Sequence, residues 1–186
     1  LAQEISKELG FETETVIAKQ TAKVVQADDE TFYMDLNVRQ KVTFDINKLT
    51  EIYKEGNIKV FMAHTIGEDQ ESGVKHGMFL VKKNDVVIDK FIVKTDENNP
   101  YLKKLDFMET DFSSFLSLDF NLESKSVKIT NKTPRKNISD CGQAVIDCIQ
   151  DVYTNHGWAS VAAFVTSAFI PETAAVFLAA CYNINC

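Results

Sequence analysis

Hydrophobic and polar residues alternate along much of the first 136 residues, and this period is typical of β-strands with one buried face. The alternation predicts strands over 31–38, 42–46, 58–64, 78–83, 86–94, 116–122 and 126–130. Asn84-Asp85 and Glu123-Ser124 are short polar turns between successive strands. Strands joined in this way form an antiparallel sheet.

Five segments of this region depart from the regular strand pattern. Residues 2–9 have apolar positions at helical spacing, and 13–27 fit a helix or a strand equally well. A second helix is predicted from Asn47, a capping residue, to Gly56, a stop signal, with one apolar face formed by Leu49, Ile52 and Tyr53. Residues 66–77 and 95–100 resemble linkers. The first 136 residues are therefore predicted to form an α+β domain, an antiparallel sheet with short helices.

After residue 136 the pattern becomes helical. One face of a helix is indicated by i, i+4, i+7, i+11 spacing of Cys141, Val145, Cys148 and Val152. Residues 154–157 break this helix, and 158–170 are almost wholly apolar. Pro171 begins another helix, with Glu172 near its positive end. Because a helix that is apolar all round must be covered, we expect the tail to pack on residues 1–136, on a membrane, or on both.

Charge divides the chain at the same place. All 20 Lys and Arg lie at or before Lys136, whereas residues 137–186 are three-fifths hydrophobic and contribute −4 of the net −7. Two domains are therefore predicted, 1–136 and 137–186, with a join near 133–139. The join is a candidate cleavage site for a processing protease, at Arg135, Lys136 and Asn137; an ordinary surface loop is an equally good interpretation. The acidic balance argues against nucleic acid as a partner.

All four cysteines lie in the tail, at 141, 148, 181 and 186. Two disulfides in an exported protein are the favoured interpretation. Four reduced thiols in a cytosolic protein remain an alternative, and zinc is weaker because no Cys-x2-Cys pair is present. Three connectivities are possible. A helical hairpin favours nested pairing, Cys141 with Cys186 and Cys148 with Cys181, because the two pairs share nearly the same midpoint.

Residues that could carry chemistry are scarce. No phosphate-binding glycine pattern, calcium loop or activated nucleophile is present, so no cofactor, metal or catalytic residue is predicted. His64 and His76 are interpreted as structural rather than metal-ligating. Since the first Met is Met34, we expect that a preceding segment such as a signal peptide has been removed, and that the protein is secreted or lies at the cell surface.

The tail, DCGQAVIDCIQDVYTNHGWASVAAFVTSAFIPETAAVFLAACYNINC, resembles the C-terminal part of exported bacteriocin precursors of the halocin type. The resemblance covers about a quarter of the chain and rests on cysteines flanking Ala/Val-rich helices. It implies a hydrophobic, disulfide-stapled helical peptide that proteolysis releases from a larger N-terminal domain with a masking or immunity role. The halocin peptides contain more than four cysteines, which is a difference from this chain.

The sequence is compatible with three functions to different degrees. The first is an antibacterial peptide precursor, whose tail would contact the target-cell membrane or a membrane receptor through Trp158, Phe164, Phe169 and Phe177. The second is a non-toxic secreted or cell-surface binding module with the stapled tail as a fixed subdomain. The third is an exported enzyme, which no group of residues favours. The absence of Lys and Arg from the tail counts against the first, because most membrane-active peptides use them.

Overall fold

A computed structural model of the chain describes residues 24–26, 31–37, 40–69, 73–135, 141–154 and 171–186. Within these ranges it contains an antiparallel sheet followed by two helices. The strands are β1 (Val24–Gln26), β2 (Thr31–Asn37), β3 (Gln40–Glu55), β4 (Ile58–Asp69), β5 (Val74–Lys83), β6 (Val86–Asp96), β7 (Leu102–Met108), β8 (Ser114–Asn121) and β9 (Ser126–Lys132). The helices are α1 (Gly142–Thr154) and α2 (Pro171–Asn185).

The strands from β3 to β9 form a meander, in which each strand pairs with the next along the chain. The β1 and β2 strands both pair with β3. The predicted turn at Asn84-Asp85 is confirmed: both residues have positive φ, at 50° and 63°, as a tight two-residue hairpin requires. Residues 122–125 form the predicted turn between β8 and β9.

The helix predicted from Asn47 to Gly56 is wrong, because β3 continues to Glu55. Leu49, Ile52 and Tyr53 have helix-like spacing because this part of β3 is irregular. The register against β4 shifts between Asp45 and Leu49 and again between Glu51 and Tyr53. A bulge inserts an extra residue and so breaks the strict two-residue period. Gly56, with φ of +58°, lies in the β3–β4 turn instead of ending a helix.

Two further expectations about this region need correction. Most of the linker predicted at 66–77 is strand, since β4 extends to Asp69 and β5 begins at Val74. Strand β7 (Leu102–Met108) was not predicted, because its first residues, Leu-Lys-Lys-Leu-Asp, alternate poorly. The helix predicted over 2–9 lies outside the described residues. Of the ambiguous 13–27 segment, 24–26 form a strand.

The sheet has two different faces, because successive side chains of a strand point to opposite sides. On β5, Phe79 and Val81 point to one face, which we call the helix face, and the α helices pack there. Met78 and Leu80 point to the other face, where they form a smaller buried cluster with residues of β3, β4, β6 and β7, namely Phe44, Leu49, Phe61, Ala63, Ile92 and Met108. Beyond β6 this second face becomes polar, with Asp106, Ser117 and Asp119 half-buried.

The predicted helix over the first part of the tail is present as α1, and Pro171 begins α2 as expected. Helix α2 packs on β3, β4, β5 and β6, and α1 packs on α2 and β9. Cys141 is bonded to Cys186 and Cys148 to Cys181, each pair with a Cα–Cα distance of 5.8 Å. The nested pairing is therefore confirmed. It joins the start of α1 to the end of α2, so the two helices run antiparallel.

Candidate functional site: the docked helices and the Arg135 cluster

The candidate functional site is the surface that joins the tail to the sheet. All residues of α2 from Pro171 to Tyr182 are buried except Glu172, which is half-buried. At the start of this helix the backbone of β5 comes close. A Cβ placed on Gly77 would lie 3.2 Å from the Cβ of Pro171 and 2.7 Å from Cζ of Phe79. A glycine at this position leaves room for the proline and the ring.

An aromatic group connects both helices to the sheet. The ring of Tyr153, at the end of α1, packs edge-on against Phe177 of α2, with 5.8 Å between centroids. It also packs edge-on against Phe120 of β8 at 5.7 Å and tilted against Phe107 of β7 at 6.5 Å. Edge-to-face pairs of this kind contribute about 0.5–1.5 kcal/mol each beyond the area they bury. The helices and the sheet therefore share one hydrophobic core.

A buried ionic cluster lies beside this core, and we call Arg135, Asp89, Glu109 and Tyr182 the Arg135 cluster. Arg135 donates from both terminal nitrogens to the two carboxylate oxygens of Asp89, at 2.5 and 2.8 Å. Its Nε donates to Glu109 at 2.5 Å. The hydroxyl of Tyr182 donates to Asp89 at 2.6 Å. Asp89 of β6 thus holds both the join, through Arg135, and the C-terminal helix, through Tyr182.

The Arg135 cluster is largely buried, with Glu109 as its most exposed acid at 19%. The Arg135 and Asp89 side chains are 2% and 3% exposed, and the guanidinium lies 4.1 Å from the centroid of the Phe115 ring. Burial alone would lower the pKa of Arg135, but its bonds to Asp89 and Glu109 outweigh burial and raise it. Burial, together with the nearby Asp89, raises the pKa of the Tyr182 hydroxyl above its usual value. Near neutral pH the cluster is therefore a charged arginine between two acids, with a neutral tyrosine.

Two weaker polar contacts also connect the tail to the sheet. Lys83, at the end of β5, donates to the backbone carbonyl of Cys186 at 2.9 Å. Lys132 of β9 pairs with Asp147 of α1 at 2.7 Å, and this hydrogen bond lowers the pKa of Asp147. Both partners of the second pair are substantially exposed, so it contributes little to stability.

No covalent bond crosses from the tail to the sheet, because both disulfides join residues of the tail and no free cysteine is described. Every described contact between the tail and the sheet is therefore noncovalent, apart from the chain itself at the join. The disulfides also indicate an oxidising compartment, such as the extracellular space.

One of the predicted cleavage residues, Arg135, has its side chain anchored in a buried cluster. Arg135 is bound within its cluster, so the exposure expected at this residue is not found. Lys136 and Asn137 lie outside the described residues. Cleavage at the join therefore remains a prediction, and a protease that recognises Arg135 would first have to extract its side chain.

Of the residues expected to contact a membrane or receptor, only Phe177 lies within the described ranges. It is fully buried between α1 and the sheet. Trp158, Phe164 and Phe169 lie outside these ranges. In the docked chain Phe177 is not available to a membrane, so its predicted role applies only to a tail separated from the sheet.

Sequence reasoning missed three members of the Arg135 cluster. Asp89 could have been found, because the alternation of β6 places it on the same face as Phe91 and Val93. A carboxylate on a buried face needs a cation as a partner. Glu109 and Tyr182 have no comparable signal in the sequence. An acid exposed at the surface would show the same sequence pattern as Glu109, and a tyrosine in an apolar core would show the same pattern as Tyr182.

A second buried ionisable group lies on the opposite face of the sheet. His76 of β5 is 7% exposed, and neither ring nitrogen has a hydrogen-bond partner among the described residues. Its ring packs edge-on against Phe112, which has φ of +64° in the β7–β8 turn. Burial, and to a lesser degree Lys94, lowers the pKa of His76 to about 4. The imidazole is therefore neutral near pH 7.

Over the described residues, no group of His, Cys, Asp and Glu is arranged to hold a metal ion. Neither α1 nor α2 is long and apolar enough to cross a membrane. No protein family, curated protein or solved structure matches this chain.

Proposed function

We propose that the chain is a secreted or cell-surface antibacterial peptide precursor, in which residues 1–136 mask a C-terminal helical peptide that proteolysis releases. The observation that supports this most directly is the placement of the disulfides. Both staple the tail to itself and neither ties it to the sheet. One cut within 136–140 would leave residues 141–186 as a separate chain with both disulfides intact.

Burial of α2 supports the masking role. Val176, Phe177 and Leu178 are fully buried in the docked chain. Burying each such side chain contributes about 1.5–3 kcal/mol. The released tail, which we propose to be an all-helical hairpin, would lose its cover from the sheet. Its exposed apolar surface would then bind a target-cell membrane or a membrane receptor.

The experiment compares two engineered cuts in the oxidised full-length protein. A recognition site for a specific protease is placed at 136–140 in one variant and in the exposed 97–101 turn of the sheet in the other. We expect the uncut proteins to be inactive. Only the cut at 136–140 should yield growth inhibition of bacteria and binding of a dye for apolar surfaces, because only that cut frees the tail.

A second candidate function is a non-toxic secreted binding module with the tail as a fixed subdomain. The shared core and the Arg135 cluster favour it, because both bind the tail to the sheet as firmly as parts of one domain. Under this alternative the protein cut at 136–140 would stay assembled in gel filtration and inhibit no bacterium. That result would exclude the precursor proposal.

A further inference from the structure

The imidazole of His76 lies on the second face of the sheet in surroundings that suit only its neutral form. Neither ring nitrogen has a hydrogen-bond partner among the described residues, although the side chain is only 7% exposed. Lys94 of β6 lies directly opposite His76 in the strand register. An imidazolium needs acceptors for two N–H groups and is destabilised by a like charge directly opposite. A proton on His76 is therefore incompatible with this arrangement.

The described charges around His76 offer a protonated imidazole no counter-ion. On the neighbouring strands and turn these charges are Lys94 and Asp96 of β6, Lys104 and Asp106 of β7, and Asp111 of the β7–β8 turn. Each strand acid lies directly opposite a lysine, Asp96 opposite Lys104 and Asp106 opposite Lys94. Asp111 accepts hydrogen bonds from Ser113 of its own turn. On β4, Phe61 and Ala63 are apolar, and Lys59 lies opposite Lys82, farther along β5.

The ring of Phe112, in the β7–β8 turn, packs edge-on against His76, with 6.3 Å between centroids. Phe112 has φ of +64°, a left-handed conformation in which an aromatic residue is strained. Two backbone hydrogen bonds close the turn, from the amide of Phe112 to the carbonyl of Glu109 at 3.0 Å and from the amide of Glu109 to the carbonyl of Ser113 at 2.9 Å. Strand β5, in contrast, has a strand neighbour on each side. The turn is therefore the element that would move to admit water to a charged imidazole.

Movement of this turn would reach the tail through Glu109. The carboxylate of Glu109 accepts from Nε of Arg135, and Arg135 and Tyr182 both donate to Asp89. If Glu109 were withdrawn, Arg135 would keep only one of its two acids, and the hold of the cluster on the join and on α2 would weaken. The contacts thus run without a break from His76 on one face of the sheet to Tyr182 on the other.

We propose that His76 is an acid-sensitive switch for docking of the tail: a proton on its imidazole displaces the 109–113 turn, withdraws Glu109 from Arg135 and loosens α2 on the sheet. Burial and Lys94 lower the pKa of His76 to about 4, so the docked state is favoured at neutral pH. The open turn hydrates the imidazole and binds the proton more tightly, so acid shifts the equilibrium towards it. The proposal concerns the intact chain and stands whether or not the tail is an antibacterial peptide.

The test is amide hydrogen exchange in the intact, oxidised protein at pH 7.5 and pH 5, with each rate corrected for the intrinsic pH dependence of exchange. A pKa of about 4 in the closed turn and the usual 6.5 in the open turn make opening roughly 25-fold more frequent at pH 5. The amides of Glu109 and Phe112 should lose protection by that factor, and the amide of Tyr182 in α2 should lose protection by a smaller one. The amide of Leu122, bonded to the carbonyl of Tyr101 at the opposite end of β7 and β8, is the internal control and should keep its protection.

Variants separate the imidazole from the general effect of acid. In His76→Leu, and equally in His76→Gln if the first does not fold, the acid-dependent loss of protection should disappear. Phe112→Gly removes the ring that covers His76 and relieves the positive φ, so the pKa of the imidazole, measured by NMR titration, should rise well above about 4. Lys125→Gly is the matched control, because Lys125 also has a positive φ, of 54°, in the β8–β9 turn. It should leave the titration of His76 unchanged.

Three outcomes would overturn the proposal. The first is an equal loss of protection at Leu122, which would mean that acid acts only through global unfolding. The second is a loss at the turn amides with no change at Tyr182, which would mean that the turn is not coupled to the tail. The third is a wild-type imidazole that titrates near its usual pKa, or one whose pKa is unchanged in Phe112→Gly, since either would show that the turn does not control its protonation.

Discussion

Asp89 and His76 lie on adjacent strands of the same sheet and are almost equally buried, at 6% and 7% exposure, but on opposite faces. Asp89 receives bonds from Arg135 and Tyr182, whereas the imidazole of His76 has no described hydrogen-bond partner. The comparison shows two ways to bury an ionisable group. One surrounds a charge with fixed donors, and the other keeps the group neutral by lowering its pKa.

The two solutions have different consequences for the tail. The Arg135 cluster connects β6, the join and α2, so its polar contacts specify how the tail docks. His76 lies on the face away from the helices and contacts Phe112 of the β7–β8 turn. Glu109, at the start of that turn, belongs to the Arg135 cluster. The turn from Glu109 to Ser113 is therefore the structural element that the two sites share.

The largest expected effect is loss of the arginine. Arg135→Met would leave the carboxylates of Asp89 and Glu109 without their cation, and removing one partner of a buried ion pair costs about 3–5 kcal/mol. Denaturant unfolding should show a loss of that size, with Lys132→Met as the exposed control at below about 1 kcal/mol. A loss at Arg135 as small as the control would show that solvent screens the cluster as it screens an exposed ion pair.

The second prediction concerns acid stability. The pKa of His76 is about 4 in the folded chain and near its usual 6.5 in the unfolded chain, so between these values the unfolded chain binds more protons. The contribution of neutral His76 to the free energy of unfolding is fully present above about pH 6.5. It is lost as the pH falls to about 4, and the total loss is up to about 3 kcal/mol.

The measurement compares the pH dependence of the unfolding free energy in wild type and His76→Leu. The variant should lose less stability than wild type from pH 6.5 to 4, whatever its absolute stability. His64→Leu, at an exposed position, is the control and should follow the wild type. Parallel curves for wild type and His76→Leu would mean that His76 is paired or solvated.

A smaller effect is expected from Tyr182→Phe, which removes only the hydroxyl that donates to Asp89. Since Arg135 still binds both oxygens of that carboxylate, the cost should be about 1.5 kcal/mol, the lower end of the range for one hydrogen bond to a charged group. Unfolding measurements on the variant in the Arg135→Met background sharpen the comparison. We expect the two effects to be non-additive, because both residues bind the same carboxylate. Strict additivity would contradict a shared site.

The smallest effect is expected at the exposed ion pair. Asp147→Asn removes the partner of Lys132, but both side chains are substantially exposed and solvent screens the pair. The change in unfolding free energy should be below about 0.5 kcal/mol and should vanish at high salt. A loss comparable to that of Tyr182→Phe would show that α1 depends on this contact for docking.

The strands could be predicted where the alternation of apolar and polar residues was regular, as in β6 and β8. The prediction failed where the alternation was interrupted. Leu49, Ile52 and Tyr53 have the spacing of a helix face, but the bulges of β3 produce the same spacing in a strand. The local pattern of apolar residues cannot distinguish a helix from a bulged strand, since a bulge forms only when a partner strand is present. In β7, Lys103 obscured the alternation because it lies on the same face as Leu105 and Phe107, opposite Phe120, where an ion pair with Glu97 at 2.7 Å accommodates its charge.

The sequence by itself determined the properties that depend on local order along the chain. These are the hairpin turn at Asn84-Asp85, the start of α2 at Pro171, and the apolar character of α2 that required it to be covered. Each follows from spacing or from the backbone preference of a single residue type. The common midpoint of the cysteine pairs favoured nested disulfides, but the structure chose them among three possible pairings.

Only the tertiary structure decided which surfaces meet. Asp89 and Arg135 are 46 residues apart and Asp89 and Tyr182 are 93 apart, so no local pattern could assign one carboxylate to both. The sheet register likewise decided that Lys54, Lys59 and Lys82 form a row of like charge, whereas Asp96, Lys104, Asp119 and Lys128 alternate. The physical reason is that strand pairing places residues distant in sequence about 5 Å apart, and the energy of a charge depends on those neighbours.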